Sequence, residues 1–118
     1  MATAATSAPT PLDSPRWRQA RLALLVNLVC EVAIVLTGGL VRLTGSGLGC
    51  PTWPQCTAGS FTPVVHQAEG YHKYIEFGNR LLTFVLTAAA VATLITVRRA
   101  ARDKTWQAAL PLILVVAQ

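Results

Sequence analysis

The sequence predicts an all-α integral membrane protein: the N-terminal part of a transmembrane helix bundle, with two full spans, the start of a third, and a cytoplasmic N-terminus. Three observations carry that prediction. Charge is scarce, because 53% of the 118 residues are hydrophobic and only 13% are charged, against about 25% charged in a typical soluble domain. Residues 22–41 are twenty positions with one charge, Glu31, enough helix to cross a hydrocarbon core of about 30 Å. Basic residues are also segregated: Arg16, Arg18 and Arg21 precede the first apolar run, Arg98, Arg99, Arg102 and Lys104 follow the second, and no Lys or Arg lies between positions 43 and 72.

Taken in order, residues 1–20 are predicted to be a disordered cytoplasmic tail, since positions 1–15 are rich in Ala, Ser, Thr and Pro. A cleaved signal peptide is the competing reading. The apolar run that follows is longer than the 7–15 residues of a signal's apolar region and is not followed by a small-residue cleavage pattern. Span one occupies about 21–42, and an external loop about 43–72. Span two runs from about 73 to 98, where residues 81–97 carry no charge. A basic turn at 99–105 leads to the opening of span three, residues 106–118, whose thirteen positions are too few to cross a bilayer. The chain is therefore expected to be an incomplete bundle, with 21–118 forming a truncated half. Backbone groups in lipid must be satisfied internally, which makes the apolar runs helices despite β-branched residues such as Val32, Ile34 and Val35.

The formal net charge of +5 does not point to nucleic acid, because its distribution is that of the positive-inside rule. Both basic clusters are placed in the cytoplasm and the cysteine loop outside, in a multi-pass protein of the cell (plasma) membrane. Trp17 and Trp106 flank the spans, where amphipathic rings favour the interface.

The most distinctive stretch is 38–56, Gly-Gly-Leu-Val-Arg-Leu-Thr-Gly-Ser-Gly-Leu-Gly-Cys-Pro-Thr-Trp-Pro-Gln-Cys. Turn residues at that density fix a particular loop rather than a slack connector. Cys50 and Cys56, on the oxidising side, suit a disulfide that is either a structural staple or a redox-active pair. A zinc site made by Cys50, Cys56, His66 and His72 is a weaker alternative, since the cysteine spacing exceeds the usual two to four residues. Residues 64–71 suit a short amphipathic helix that Gly70 weakens, and Trp53, Phe61 and Tyr71 provide aromatic surface for the membrane or a pocket.

Three further groups are candidates for chemistry. Glu76, Asn79 and Arg80 share a helical face, with Glu76 and Arg80 one turn apart and able to pair, and His72 one turn earlier. Ionisable groups at membrane depth mark functional sites, although an interfacial ion pair is the plainer reading. Glu31, with Asn27 one turn before it, suits either proton handling or polar adhesion between helices. Arg42, at the outer end of span one, offers a planar guanidinium to a carboxylate-bearing ligand such as a haem propionate. Cys30 reads as a small buried apolar residue.

Gly38 to Leu48, Cys50 to Cys56, and Ile75-Glu76-Phe77-Gly78-Asn79-Arg80-Leu81-Leu82-Thr83 together resemble the N-terminal part of the haem A synthase family. The resemblance covers about residues 22–98. It implies an eight-helix protein of two similar four-helix halves that oxidises a methyl group of haem O to the formyl group of haem A for cytochrome oxidase. It implies haem O as substrate, haem b as a second haem, Glu76 as a catalytic carboxylate, and Cys50 and Cys56 as an oxidisable pair. Arg42, Arg80 and His72 become candidate haem-binding residues. A thiol–disulfide electron donor, a haem O synthase and a second copy of the chain are the implied partners. Where the family pattern Glu-x-x-His-Arg has its iron-binding histidine, this chain has Asn79, and an amide is not among the usual haem-iron ligands. Two other classes of function stay open: a small haem-binding or thiol-redox protein of oxidase assembly, and a non-catalytic two-span structural protein.

Overall fold

The computed structural model describes residues 13–66 and 68–117. Three helices follow one another along the chain: α1 (Pro15–Leu43), α2 (His72–Ala100) and α3 (Thr105–Ala117). Between α1 and α2 lies the cysteine loop, which contains a 3-10 turn at Ser46–Leu48. A second 3-10 turn, Arg102–Lys104, joins α2 to α3.

α1 begins six residues before the expected start of span one. Ser14 explains this: its hydroxyl accepts from the Trp17 amide at 3.4 Å, and Pro15 supplies a fixed φ at the first helical position. The expectation of a disordered tail is therefore corrected for residues 15–20, while positions 1–12 lie outside the described residues. At 29 residues each, α1 and α2 extend about 43 Å, roughly 13 Å more than a hydrocarbon core. Their polar ends stand clear of lipid. The second expectation that fails is the helix over 64–71. Its described residues form turns instead, with Gly70 in the left-handed region at φ +57°.

The α1–α2 pair is an antiparallel hairpin zipped along its whole length. Ala20 meets Val97 near the basic end, and the Thr93 hydroxyl donates to the Ala23 carbonyl at 3.1 Å. Cys30 and Ile34 pack on Leu86 and Ala89 further along, and the Thr37 hydroxyl donates to Asn79 Oδ1 at 2.8 Å near the loop end. Small side chains let the backbones approach, and threonine and asparagine bond across, as is typical where lipid removes the hydrophobic drive between helices. α3 packs on α2, with Ala108 in one cluster with Ala20 and Val97 and with Val115 beside the Cys30 cluster. Pro111 lies inside α3; membrane helices tolerate the backbone bond it removes.

α1 and α2 are both long and apolar enough to span a membrane, and only 11% and 28% of their most apolar windows are buried. Val35 and Leu36 on α1 and Phe84 on α2 are largely exposed. In water such faces would be an aggregation liability. In a bilayer they are the surface presented to lipid or to further helices.

Candidate functional site: a cysteine loop clamped to the end of a helix

The first turns of α2 project a row of polar side chains toward the loop, and the loop is folded around them. Cys50 and Cys56 form a disulfide with Cα atoms 4.3 Å apart, enclosing Pro51 to Gln55, and the Trp53–Pro54 peptide is cis. Both sulfurs are thereby used, which removes the thiolates that the alternative zinc site requires. A bridge between Thr57 and Ser60, with Gly59 at φ +83°, turns the chain back after the ring.

The ring is held by two side chains one turn apart on α2. Arg80 donates from Nη1 to the carbonyls of Thr52 at 2.7 Å and Gln55 at 3.3 Å, and from Nη2 to the carbonyl of Cys50 at 2.8 Å. Nη2 also pairs with Oε1 of Glu76. The other carboxylate oxygen, Oε2, accepts the Cys50 amide at 2.8 Å. The pair predicted from its i, i+4 spacing thus forms, and it does more than neutralise itself. It grips the main chain of the cysteine ring from both sides, one residue reading its carbonyls and the other its N–H. Buried charges persist when they are paired and fully hydrogen-bonded, and Glu76 is 7% exposed.

Two further contacts extend this clamp. Ser46, fully buried in the Thr44-Gly45-Ser46 turn, lies 2.6 Å from the Thr44 hydroxyl and 2.8 Å from Nδ1 of His72. His72 is also stacked on Tyr71 at 4.1 Å between ring centroids. Lys73 is 2% exposed; its ammonium donates to the carbonyls of Val64 and Val65, the latter at 3.0 Å, and sits 5.1 Å from the Tyr74 ring centroid. The far part of the loop is pulled onto α2 in this way, which is why 64–71 gains nothing by becoming a helix. Sequence reasoning missed Lys73 and Ser46. The signal for Ser46 was its place between two glycines in the turn; a lysine at the expected start of a span is ordinarily a solvated end residue.

Beneath the ring, Trp53, Pro54, Cys56 and Phe61 meet Phe77 and Phe84 of α2 around a cavity of about 180 Å³ that Arg80 and Leu81 complete. The aromatic surface expected of Trp53 and Phe61 does line a recess, whereas Tyr71 goes to His72. Arg42, on the last turn of α1, stays exposed; its carbonyl accepts from the Gly45 amide at 3.3 Å, while its guanidinium has no hydrogen bond or ion pair to any described residue. Asn79 is not part of the clamp: its amide oxygen is engaged by Thr37 at the helix interface. Glu31 is half-buried beside Val32, Val35 and Leu36, remote from the loop, and Asn27 is buried with its Oδ1 unpartnered.

Comparison with known proteins matches residues 21–118 to the family described as cytochrome oxidase assembly protein (COX15-CtaA). The haem A synthase of Geobacillus thermodenitrificans is 34% identical over 76 residues, which cover 64% of this chain and 22% of that protein. The haem A synthase of Geobacillus kaustophilus is 35% identical over 86 residues, covering 69% and 26% respectively. A third, from Shewanella oneidensis, is 46% identical over 33 residues, covering 28% and 10%. The chain thus spans about a quarter of the length of the two Geobacillus relatives it matches. No solved structure matches it.

Proposed function

This chain belongs to the cytochrome oxidase assembly protein family, and from that premise we propose that it provides the first helical hairpin and outer loop of a membrane haem oxidoreductase that oxidises a methyl group of haem O to the formyl group of haem A. The observation that carries this reading is the clamp. The two residue strings that resemble haem A synthase, around Cys50–Cys56 and around Glu76–Arg80, are far apart in sequence and bonded to each other in space. The two basic clusters support a plasma-membrane orientation with the cysteine loop on the extracytoplasmic side.

Within this reading Arg42 receives a propionate: its guanidinium is exposed at the mouth of the hairpin and is free to make a bidentate contact. Glu76 acts first as a positioning residue, since both of its oxygens are already committed to the loop. A resident haem b does not fit the helix interface of this hairpin through iron: Asn79 offers an amide already bonded to Thr37, and His72, the nearest imidazole, lies seven residues, about 10 Å, toward the loop. No iron-centred step is assigned to these residues. A thiol–disulfide donor for Cys50–Cys56, a haem O synthase and a second copy of the chain are the partners this function would call on.

The test is a chimera in which residues 21–118 replace the matching segment of the Geobacillus thermodenitrificans haem A synthase, expressed in a host that makes haem O but no haem A. Extracted haems are expected to include haem A, and Glu76→Ala in the chimera is expected to lower its yield at least ten-fold. An inserted chimera with an intact Cys50–Cys56 disulfide that leaves all the haem O unconverted would sink the proposal.

A further inference from the structure

At the opposite end of the hairpin from the cysteine loop, Arg16 meets three arginines from more than eighty residues later in the chain at one recess. Arg16 comes from the first turn of α1, Arg98 and Arg99 from the last turn of α2, and Arg102 from the 3-10 turn that follows. Together with Ile95 they line a cavity of about 520 Å³. A second recess of about 490 Å³ adjoins it and shares Arg16 and Arg99, with Ser14, Pro15, Trp17 and Ala100 as its other walls. Among the described residues, none of the four guanidinium groups has an ion-pair partner. Asp103, the carboxylate next to Arg102 in sequence, lines neither recess.

Helix electrostatics accounts for part of this cluster. Cations are favoured at a helix C-terminus, where Arg98 and Arg99 lie, and disfavoured at an N-terminus, where Arg16 lies. Arg16 is nevertheless held there, because its neighbour Trp17 packs into the Ala20–Val97–Ala108 cluster and fixes the start of α1 against the end of α2. The start of α1 has no acidic residue in its first turn, so its own N–H groups add to the positive field. The walls are not purely polar: Ile95, one turn further into α2 than Arg98 and Arg99, gives the first recess an apolar side toward the spanning part of that helix, and Trp17 lines the second.

We propose that this recess binds the phosphate headgroup of an anionic phospholipid, with the guanidinium groups on the phosphate and the acyl chains descending along Ile95. Arginine forks match phosphate oxygens in pairs, and basic pockets between membrane helices recognise anionic headgroups. A lipid is the source that fits the location, since the cavity lies where two spanning helices leave the bilayer and has an apolar wall on the membrane side. The site is independent of the haem reading, because no residue in it touches the cysteine loop.

A test can separate a built site from diffuse surface attraction. Native mass spectrometry counts the lipids retained by the purified chain in micelles doped with phosphatidylglycerol, with phosphatidylcholine as the neutral comparison. Two variants with equal loss of charge are compared, Arg16→Gln/Arg102→Gln in the recess and Arg18→Gln/Arg21→Gln outside it, with helical content and the Cys50–Cys56 disulfide checked in each. Retention of phosphatidylglycerol is expected to fall at least ten-fold in the first and less than three-fold in the second. Equal losses in both would mean that the surface potential alone attracts lipid, and would overturn the proposal. Displacement of the lipid by inorganic phosphate at low millimolar concentration would identify a free anion as the ligand, and would overturn it as well.

Discussion

Glu76→Ala is expected to release the cysteine ring from α2 while leaving its disulfide intact. The substitution removes the acceptor of the Cys50 amide and the partner of Arg80 in one step. Breaking a fully buried ion pair costs about 3–5 kcal/mol. The Arg80 side chain is 23% exposed and keeps its carbonyl acceptors, so a discounted cost of about 2–3 kcal/mol applies here. That cost corresponds to roughly 30- to 150-fold faster amide exchange across residues 49–56. Hydrogen exchange read by mass spectrometry in detergent measures it directly. Glu76→Gln keeps an oxygen for the Cys50 amide and loses the charge facing Arg80, so its effect is expected to lie between the two. Exchange in the alanine variant at the wild-type rate would show that the ring is held by something else.

Gly49→Ala is expected to unseat the same loop by a different route. Gly49 has φ −66°, which any residue adopts, so its glycine is not required by backbone conformation. It is required by proximity. A Cβ at this position would clash with the His72 carbonyl, lying 2.5 Å from its carbon and 2.7 Å from the Lys73 amide nitrogen. These are backbone atoms of the first turn of α2 and cannot rotate away. Overpacking against fixed atoms costs about 1–3 kcal/mol, and the upper end applies where no side chain can yield. Because Gly49 immediately precedes Cys50, the displacement falls on the clamp itself. The expected readout is a more than ten-fold rise in the cleavage rate of the loop by an added protease. Gly47→Ala serves as the control, since a Cβ there meets nothing within 4 Å. Equal cleavage rates for the two variants would contradict the close approach.

The two spans were legible because lipid imposes a length and an apolar run that few other structures satisfy. The i, i+4 pair of Glu76 and Arg80 was legible because helix geometry alone brings such residues together. What that pair binds was not, since the carbonyls of Cys50, Thr52 and Gln55 carry no side-chain signature. The same holds for Lys73, whose acceptors are the backbone of Val64 and Val65. The start of α1 was misplaced because arginines at positions 16, 18 and 21 interrupt the apolar run, whereas the helix is set by the Ser14 cap and Pro15. The helix expected over 64–71 failed because its short apolar pattern competes with a buried lysine that takes its carbonyls. Local pattern therefore described the scaffold, and long-range main-chain bonding decided the loop.

The Glu76–Arg80 pair, rather than the disulfide, seats the cysteine ring on α2. Exchange of the Cys50 amide in the wild-type chain, measured before and after reduction of Cys50–Cys56, separates the two. Protection is expected to fall by less than ten-fold on reduction, because Glu76 and Arg80 still hold the main chain of the ring. Loss of protection on reduction to the level of oxidised Glu76→Ala would contradict it, and would make the disulfide the element that holds the loop.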